Sequence, residues 1–104
     1  MTNIVTIAET QTDPVLLNET PLAGGSGREA KAHLGADNAA LATGVVLEGH
    51  NGIPSDGAPD GGDAGWFTVL EGPFDAEVVE IDDLPQWVRV GAAVAGPVVL
   101  EGVQ

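Results

Sequence analysis

Trp66-Phe67-Thr68-Val69-Leu70-Glu71-Gly72-Pro73-Phe74-Asp75-Ala76-Glu77-Val78-Val79-Glu80-Ile81 holds two runs rich in β-branched and aromatic residues, parted by Gly72-Pro73-Phe74-Asp75. Such runs fit a pleated, half-buried surface, and Pro73 presets φ at the second position of a turn that Asp75 suits at its end. The stretch therefore reads as a β-hairpin, Trp66–Glu71 paired with Ala76–Ile81. A four-residue loop sets Val69 opposite Val78 and Trp66 opposite Ile81, two apolar cross-strand pairs.

The grammar extends in both directions. Asp82-Asp83-Leu84-Pro85 ends the second run, Trp87-Val88-Arg89-Val90 alternates as a further strand, and Gly96-Pro97-Val98-Val99-Leu100 closes the set, with Pro97 marking a strand start or an edge. Upstream, short Val/Leu-rich runs separated by Gly, Pro and Asp begin at Gly44. Fifteen Gly and seven Pro in 104 residues argue against a helical bundle, because both disfavour helix interiors. The fold class expected is mainly β: a small antiparallel β-barrel or sandwich-like domain with an extended N-terminal arm and at most short helices. One such turn is placed at Asp37–Leu41, with Asp37 as N-cap.

V-L-E-G appears three times, at Val46–Gly49, Val69–Gly72 and Val99–Gly102. Uneven intervals exclude a solenoid. The expected meaning is a common strand end, with Val and Leu inside, Glu toward water or a neighbour, and Gly permitting a turn.

Residues 1–27 read as an extended arm and Gly-rich linker, and residues 28–104 as the globular domain. Thr2-Asn3-Ile4-Val5-Thr6-Ile7 has the composition of a strand, but Pro14 and Pro21 interrupt the residues after it, and Gly24-Gly25-Ser26-Gly27 is a linker composition. A lone strand needs a sheet, in its own domain or on a partner. The domain is expected to fold without residues 1–23.

Charge sets the strongest limits. Sixteen Asp+Glu face only Arg28, Lys31 and Arg89, a formal net charge of −13. Phosphate backbones and anionic membranes repel such a surface, so neither nucleic acid nor membrane is an expected partner. The longest apolar run, Val90–Leu100, is about half of the roughly 20 residues a spanning helix needs. The start lacks the basic and apolar regions of a signal peptide. There is no Cys, hence no disulfide or thiolate chemistry.

Catalytic signatures are missing. Ser26 and Ser55 lie in no nucleophile elbow, no phosphate-binding loop occurs, and no cofactor is expected. His33 and His50 lack paired metal-ligand spacing. Asp56, Asp60 and Asp63 offer oxygen ligands of the type Ca²⁺ takes, though not at EF-hand spacing, and solvated turns are the favoured account of them. Glu77 and Glu80 fall on opposite faces of a strand, so they form no acid/base pair. Trp66, Phe74 and Trp87 are candidates for the core or for oligomer or capsid contacts.

The extended arm, the segment Ala42-Thr43-Gly44-Val45-Val46-Leu47, the Gly/Asp-rich loop after it and the β-rich half ending in Val98-Val99-Leu100 together resemble the head-decoration, or cement, proteins of tailed bacteriophages, including the lambda-like type. The likeness spans residues 40–104 and the arm's general character; the arm is more acidic than the family's pattern. It implies a structural virion protein and not an enzyme: a homotrimer on the outer surface of an expanded capsid, with the major capsid protein as partner and the host cytoplasm as its site during assembly. Asn3, Ile4, Val5, Thr6 and Ile7 would then supply the capsid-binding arm. The alternative from another class is an acidic DNA mimic that inhibits a nucleic-acid-binding enzyme, motivated by the net charge and by Asp82-Asp83.

Overall fold

The computed structural model describes residues 4–20, 22, 28–35, 43–53, 57–59, 65–91 and 96–103. The described strands are β1 (Ile4–Ile7), β2 (Val15–Leu16), β3 (Glu29–His33), β4 (Gly44–His50), β5 (Phe67–Gly72), β6 (Val78–Ile81), β7 (Trp87–Val90) and β8 (Val98–Val103). A single 3-10 turn covers Leu17–Glu19. The helical turn expected at Asp37–Leu41 lies outside the described residues.

The strands form two four-stranded sheets, ordered β1-β8-β3-β6 and β2-β7-β4-β5. Every pair is antiparallel. This order, with the chain crossing between sheets at each step except β4 to β5, is that of an eight-stranded jelly roll, two Greek keys folded into a sandwich. No pairing joins the sheets among the described residues, so of the two forms expected the sandwich is the one adopted. No helix among these residues is long and apolar enough to cross a membrane.

The core lies between the sheets. Ile7, Ala30, Ala32, Ile81, Val98 and Leu100 come from the first sheet, and Val46, Leu47, Leu70, Val88 and Val90 from the second. Leu17, Leu22 and Leu84 enter from connections. Each fully buried Leu stabilises the fold by roughly 1.5–3 kcal/mol relative to exposure. In the middle of the first sheet, small and large residues alternate: Ala32 pairs with Leu100 on one side and Val79 on the other.

The expected hairpin does not form. β5 pairs with β4 in the second sheet, while β6 pairs with β3 in the first. Val78 is therefore opposite His33, and Ile81 opposite Ala30. The break at Gly72–Glu77 carries the chain from one sheet to the other. A two-stranded ribbon leaves one face wet, whereas this crossing lets Leu70 and Ile81 approach one core from opposite sides.

Of the two placements open to the arm's strand, its own domain or a partner's sheet, it takes its own domain. β1 pairs with β8 over Ile4–Ile7, and Ile7, Leu17 and Leu22 are buried in the common core. Beyond β1, the Leu17 N–H donates to the Gln86 carbonyl at 2.9 Å and the Val90 N–H to the Gln11 carbonyl at 3.0 Å. Residues on both sides of the expected boundary at 27/28 share one core, and removing residues 1–23 would strip it. β-structure also begins well before Gly44. β8 lies between β1 and β3, and Pro97 stands just before its first residue, so of the strand start and the edge expected it marks the start.

The three V-L-E-G copies now acquire distinct meanings. Leu47 and Leu70 pair directly across β4 and β5, and Leu100 is buried in the opposite sheet. Glu48 and Glu101 each meet a basic side chain on a neighbouring strand, Arg89 and His33. Gly49, Gly72 and Gly102 are not among the positive-φ glycines of the described chain. At Gly49 the need is space: a Cβ there would sit 2.5 Å from Pro85 Cγ and 2.8 Å from Val69 Cγ2. Close approach, and not a turn, selects that glycine.

Candidate functional site

A sandwich that is not closed leaves four edge strands, and each presents backbone groups to a partner unless something blocks it. β6 is bracketed by acids: Asp75, Glu77, Glu80, Asp82 and Asp83 are all exposed. β5 carries Glu71 and a register irregularity against β4. β2 has two residues. β1 differs from all of these, since Ile-Val-Thr-Ile has no charge, no proline and three β-branched apolar residues in a chain with sixteen acids. Among the described residues β1 pairs only with β8, so its other edge is open. Ile4 is 40% exposed and Thr6 is exposed, while Val5 and Ile7 turn toward the core.

The outer face of the first sheet continues from that edge. Register places Ile4, Glu101, Lys31 and Glu80 in one row, and Thr6, Val99, His33 and Val78 in the next. His33 Nε2 and Glu101 Oε1 are 3.0 Å apart, with side chains 40% and 37% exposed. Such a pair is worth less than about 1 kcal/mol. Lys31 lies in register between Glu101 and Glu80, so opposite charges alternate across the strands.

The outer face of the second sheet is occupied differently. Arg89, 7% exposed, donates from Nε to Glu48 Oε1 at 2.9 Å. Its guanidinium carbon lies 4.0 Å over the Trp66 ring, a cation–π contact. His50 meets the same indole edge-on at 5.1 Å between centroids. The Gly52 N–H donates to His50 Nδ1 at 2.8 Å, which requires that nitrogen to be unprotonated, and Trp87 Nε1 donates to the Gly52 carbonyl at 3.0 Å. Both ends of the β4–β5 connection are thus fastened onto the sheet. These contacts make β7 buried on both faces.

The same packing holds the three aromatic candidates in different ways. Trp87 is buried and tied by its indole N–H; Trp66 is half-buried against Arg89 and His50; Phe74 is half-buried against the core. Among the described residues the exposed large apolar side chains are Ile4, Ile53, Phe67 and Val78. The Arg89–Glu48 pair escaped the sequence reading, although one of only three basic residues inside an apolar strand was a usable signal.

Among the described residues no three His, Asp or Glu converge as metal ligands. His33 and His50 lie on different sheets. Asp56, Asp60 and Asp63, the candidate calcium ligands, lie outside the described residues, as does Asn3 of the candidate arm. Compared with known protein families, curated proteins and solved structures, the chain matches none.

Proposed function

We propose that this chain is a non-catalytic structural protein that binds the outer surface of an expanded phage capsid and stabilises it. The observation that carries the reading is β1: an uncharged, strand-forming edge, open on one side, in a protein whose other edges are short, irregular or acidic. An open edge of this kind can add to a sheet of a partner, gaining main-chain hydrogen bonds without new loops. Many weakly held copies on one lattice then reinforce it through multivalency. A net charge of −13 is tolerated on the outside of a shell, away from packaged DNA. The choice of a phage capsid and the homotrimer about a symmetry axis rest on the family resemblance.

Point substitution is the test, since truncation would remove core residues. Ile4→Lys with Thr6→Lys places two cations on exposed positions of β1. Asp13→Asn with Glu19→Gln changes net charge equally, elsewhere on the surface. Co-sedimentation with expanded capsids from the lysate in which the chain is made should fall at least tenfold for the first variant and be unchanged for the second. Equal occupancy by both variants refutes the reading.

The rival reading, an acidic DNA mimic, is favoured by the run of exposed acids along β6. Binding to a basic nuclease that vanishes at high salt, with no association with capsids, would replace the first proposal with this one.

A further inference from the structure

We infer that Asn51-Gly52 is a self-modification site, independent of shell docking, at which the fold itself turns the Asn51 side chain into a succinimide and then into aspartate and isoaspartate. Asn51 is the one asparagine of the chain that a glycine follows. When a backbone nitrogen attacks the side-chain carbonyl of the residue before it, a small imide ring closes, and a glycine puts no Cβ in the way. The pair stands just after β4 at the start of the β4–β5 connection, with Asn51 exposed and Gly52 half-buried.

The surrounding groups supply what that reaction needs. The nucleophile is the Gly52 nitrogen, and its N–H donates to His50 Nδ1 at 2.8 Å. A ring nitrogen that accepts is unprotonated, so an imidazole base already holds the proton that must leave. Negative charge develops on Asn51 Oδ1, which accepts the Gln86 N–H at 3.2 Å. Gln86 is itself held, because its carbonyl accepts the Leu17 N–H at 2.9 Å. Trp87 Nε1 donates to the Gly52 carbonyl at 3.0 Å, so Gly52 is fixed at both its nitrogen and its oxygen. The base is fixed as well. Its ring meets Trp66 edge-on, and a Cβ at Gly65 would lie 2.5 Å from its Nε2. A Cβ at Gly52 would lie 2.9 Å from Nδ1, so the bare glycine is what lets the base come near.

The step balances without an oxidant or cofactor. His50 Nδ1 takes the proton from the Gly52 nitrogen as the N–Cγ bond forms, and the Oδ1 oxyanion rests on the Gln86 N–H. The oxyanion collapses, the Cγ–Nδ2 bond breaks, and Nδ2 leaves as ammonia with the proton that His50 returns. Water then opens the succinimide at either carbonyl. Both products add a negative charge, and isoaspartate also inserts a CH₂ into the main chain, which moves Gly52 off His50 and Trp87.

The experiment follows the peptide containing Asn51 by mass spectrometry after the full chain has stood, folded or in urea, at one pH and temperature. Exchange of NH₂ for OH marks Asn51 and separates it from Asp56-Gly57 and Asp60-Gly61, which isomerise without a change of mass. The folded parent should react at least about tenfold faster than the unfolded chain. His50→Gln, which keeps an acceptor for Gly52 but supplies no base, should lose that advantage. His33→Gln, on the other sheet, should keep it, as should the Ile4→Lys/Thr6→Lys variant, which separates this proposal from the capsid reading. The Trp87 indole N–H resonance should move as product accumulates. A connection that is merely held rigid gives the opposite result, protection of Asn51 in the folded chain. A folded parent no faster than the unfolded chain, or a folded His50→Gln variant as fast as the parent, overturns the proposal; if His50→Gln does not fold, the ratio measured on the parent decides alone.

Discussion

Replacing Glu48 with Ala tests whether the Arg89 cluster contributes to stability or merely decorates the sheet. Arg89 is 7% exposed and its Nε lies 2.9 Å from Glu48, whose side chain is 26% exposed. Breaking a fully buried pair by removing one partner costs about 3–5 kcal/mol, because the remaining charge stays desolvated. Glu48's partial exposure admits water near the vacated position, which lowers the expected cost to about 2–3 kcal/mol. For a domain of this size that corresponds to a fall in melting midpoint of roughly 8–24 °C. Urea denaturation should show the loss in the extrapolated free energy at an unchanged slope. The double variant Glu48→Leu/Arg89→Met removes both charges and should lose less than Glu48→Ala alone. Glu101→Ala, which opens the exposed His33 pair, should cost under about 1 kcal/mol. A Glu48→Ala cost as small as that of Glu101→Ala, or a double variant worse than the single one, would refute the claim that desolvated charge governs this face.

Glycine packing gives a second set of expectations. A Cβ at Gly91 would overlap the Val45 carbonyl oxygen, which is backbone and cannot swing aside. Gly91→Ala should therefore cost at least about 2 kcal/mol, whereas Gly35→Ala, where φ is +77° and space is open, should cost about 1–2 kcal/mol from backbone strain alone. Reversal of that order in chemical denaturation would contradict the described approach of Gly91 to β4. Salt should stabilise the protein, because a net −13 repels itself and added ions screen that repulsion. A melting midpoint that falls between low and physiological ionic strength would show that attractive pairs outweigh the excess of acid.

The strands themselves were largely legible, and their partners were not. Trp87–Val90 was readable to the residue because β-branched and aromatic side chains dominate it. Its alternation suggested one wet face, yet both are covered, since Trp87 and Arg89 lie against the ends of the β4–β5 connection. The hairpin reading failed at β5 and β6 because periodicity assigns a face to each residue and says nothing about which strand lies alongside. Glu29-Ala30-Lys31-Ala32-His33 gave little strand signal at all: Ala favours helices, and only the neighbouring Leu100 and Val79 make small residues correct there. The candidate edge at Ile4–Ile7 was visible in composition. That it is half-built into the domain depends on Ile7 and on β8, far away in the chain.

The position of β8 governs how the molecule comes into being. Residues 98–103 follow every other described strand in the chain, yet they separate β1 from β3. Until they are in place, β1 has no neighbour among the described strands, and Ile7 and Leu100 cannot join one core across a separation of more than ninety residues. Assembly of the first sheet is then an event of high contact order, slow by the standards of small domains. Nascent chains stalled before Val98 should resist compaction and be recognised by chaperones.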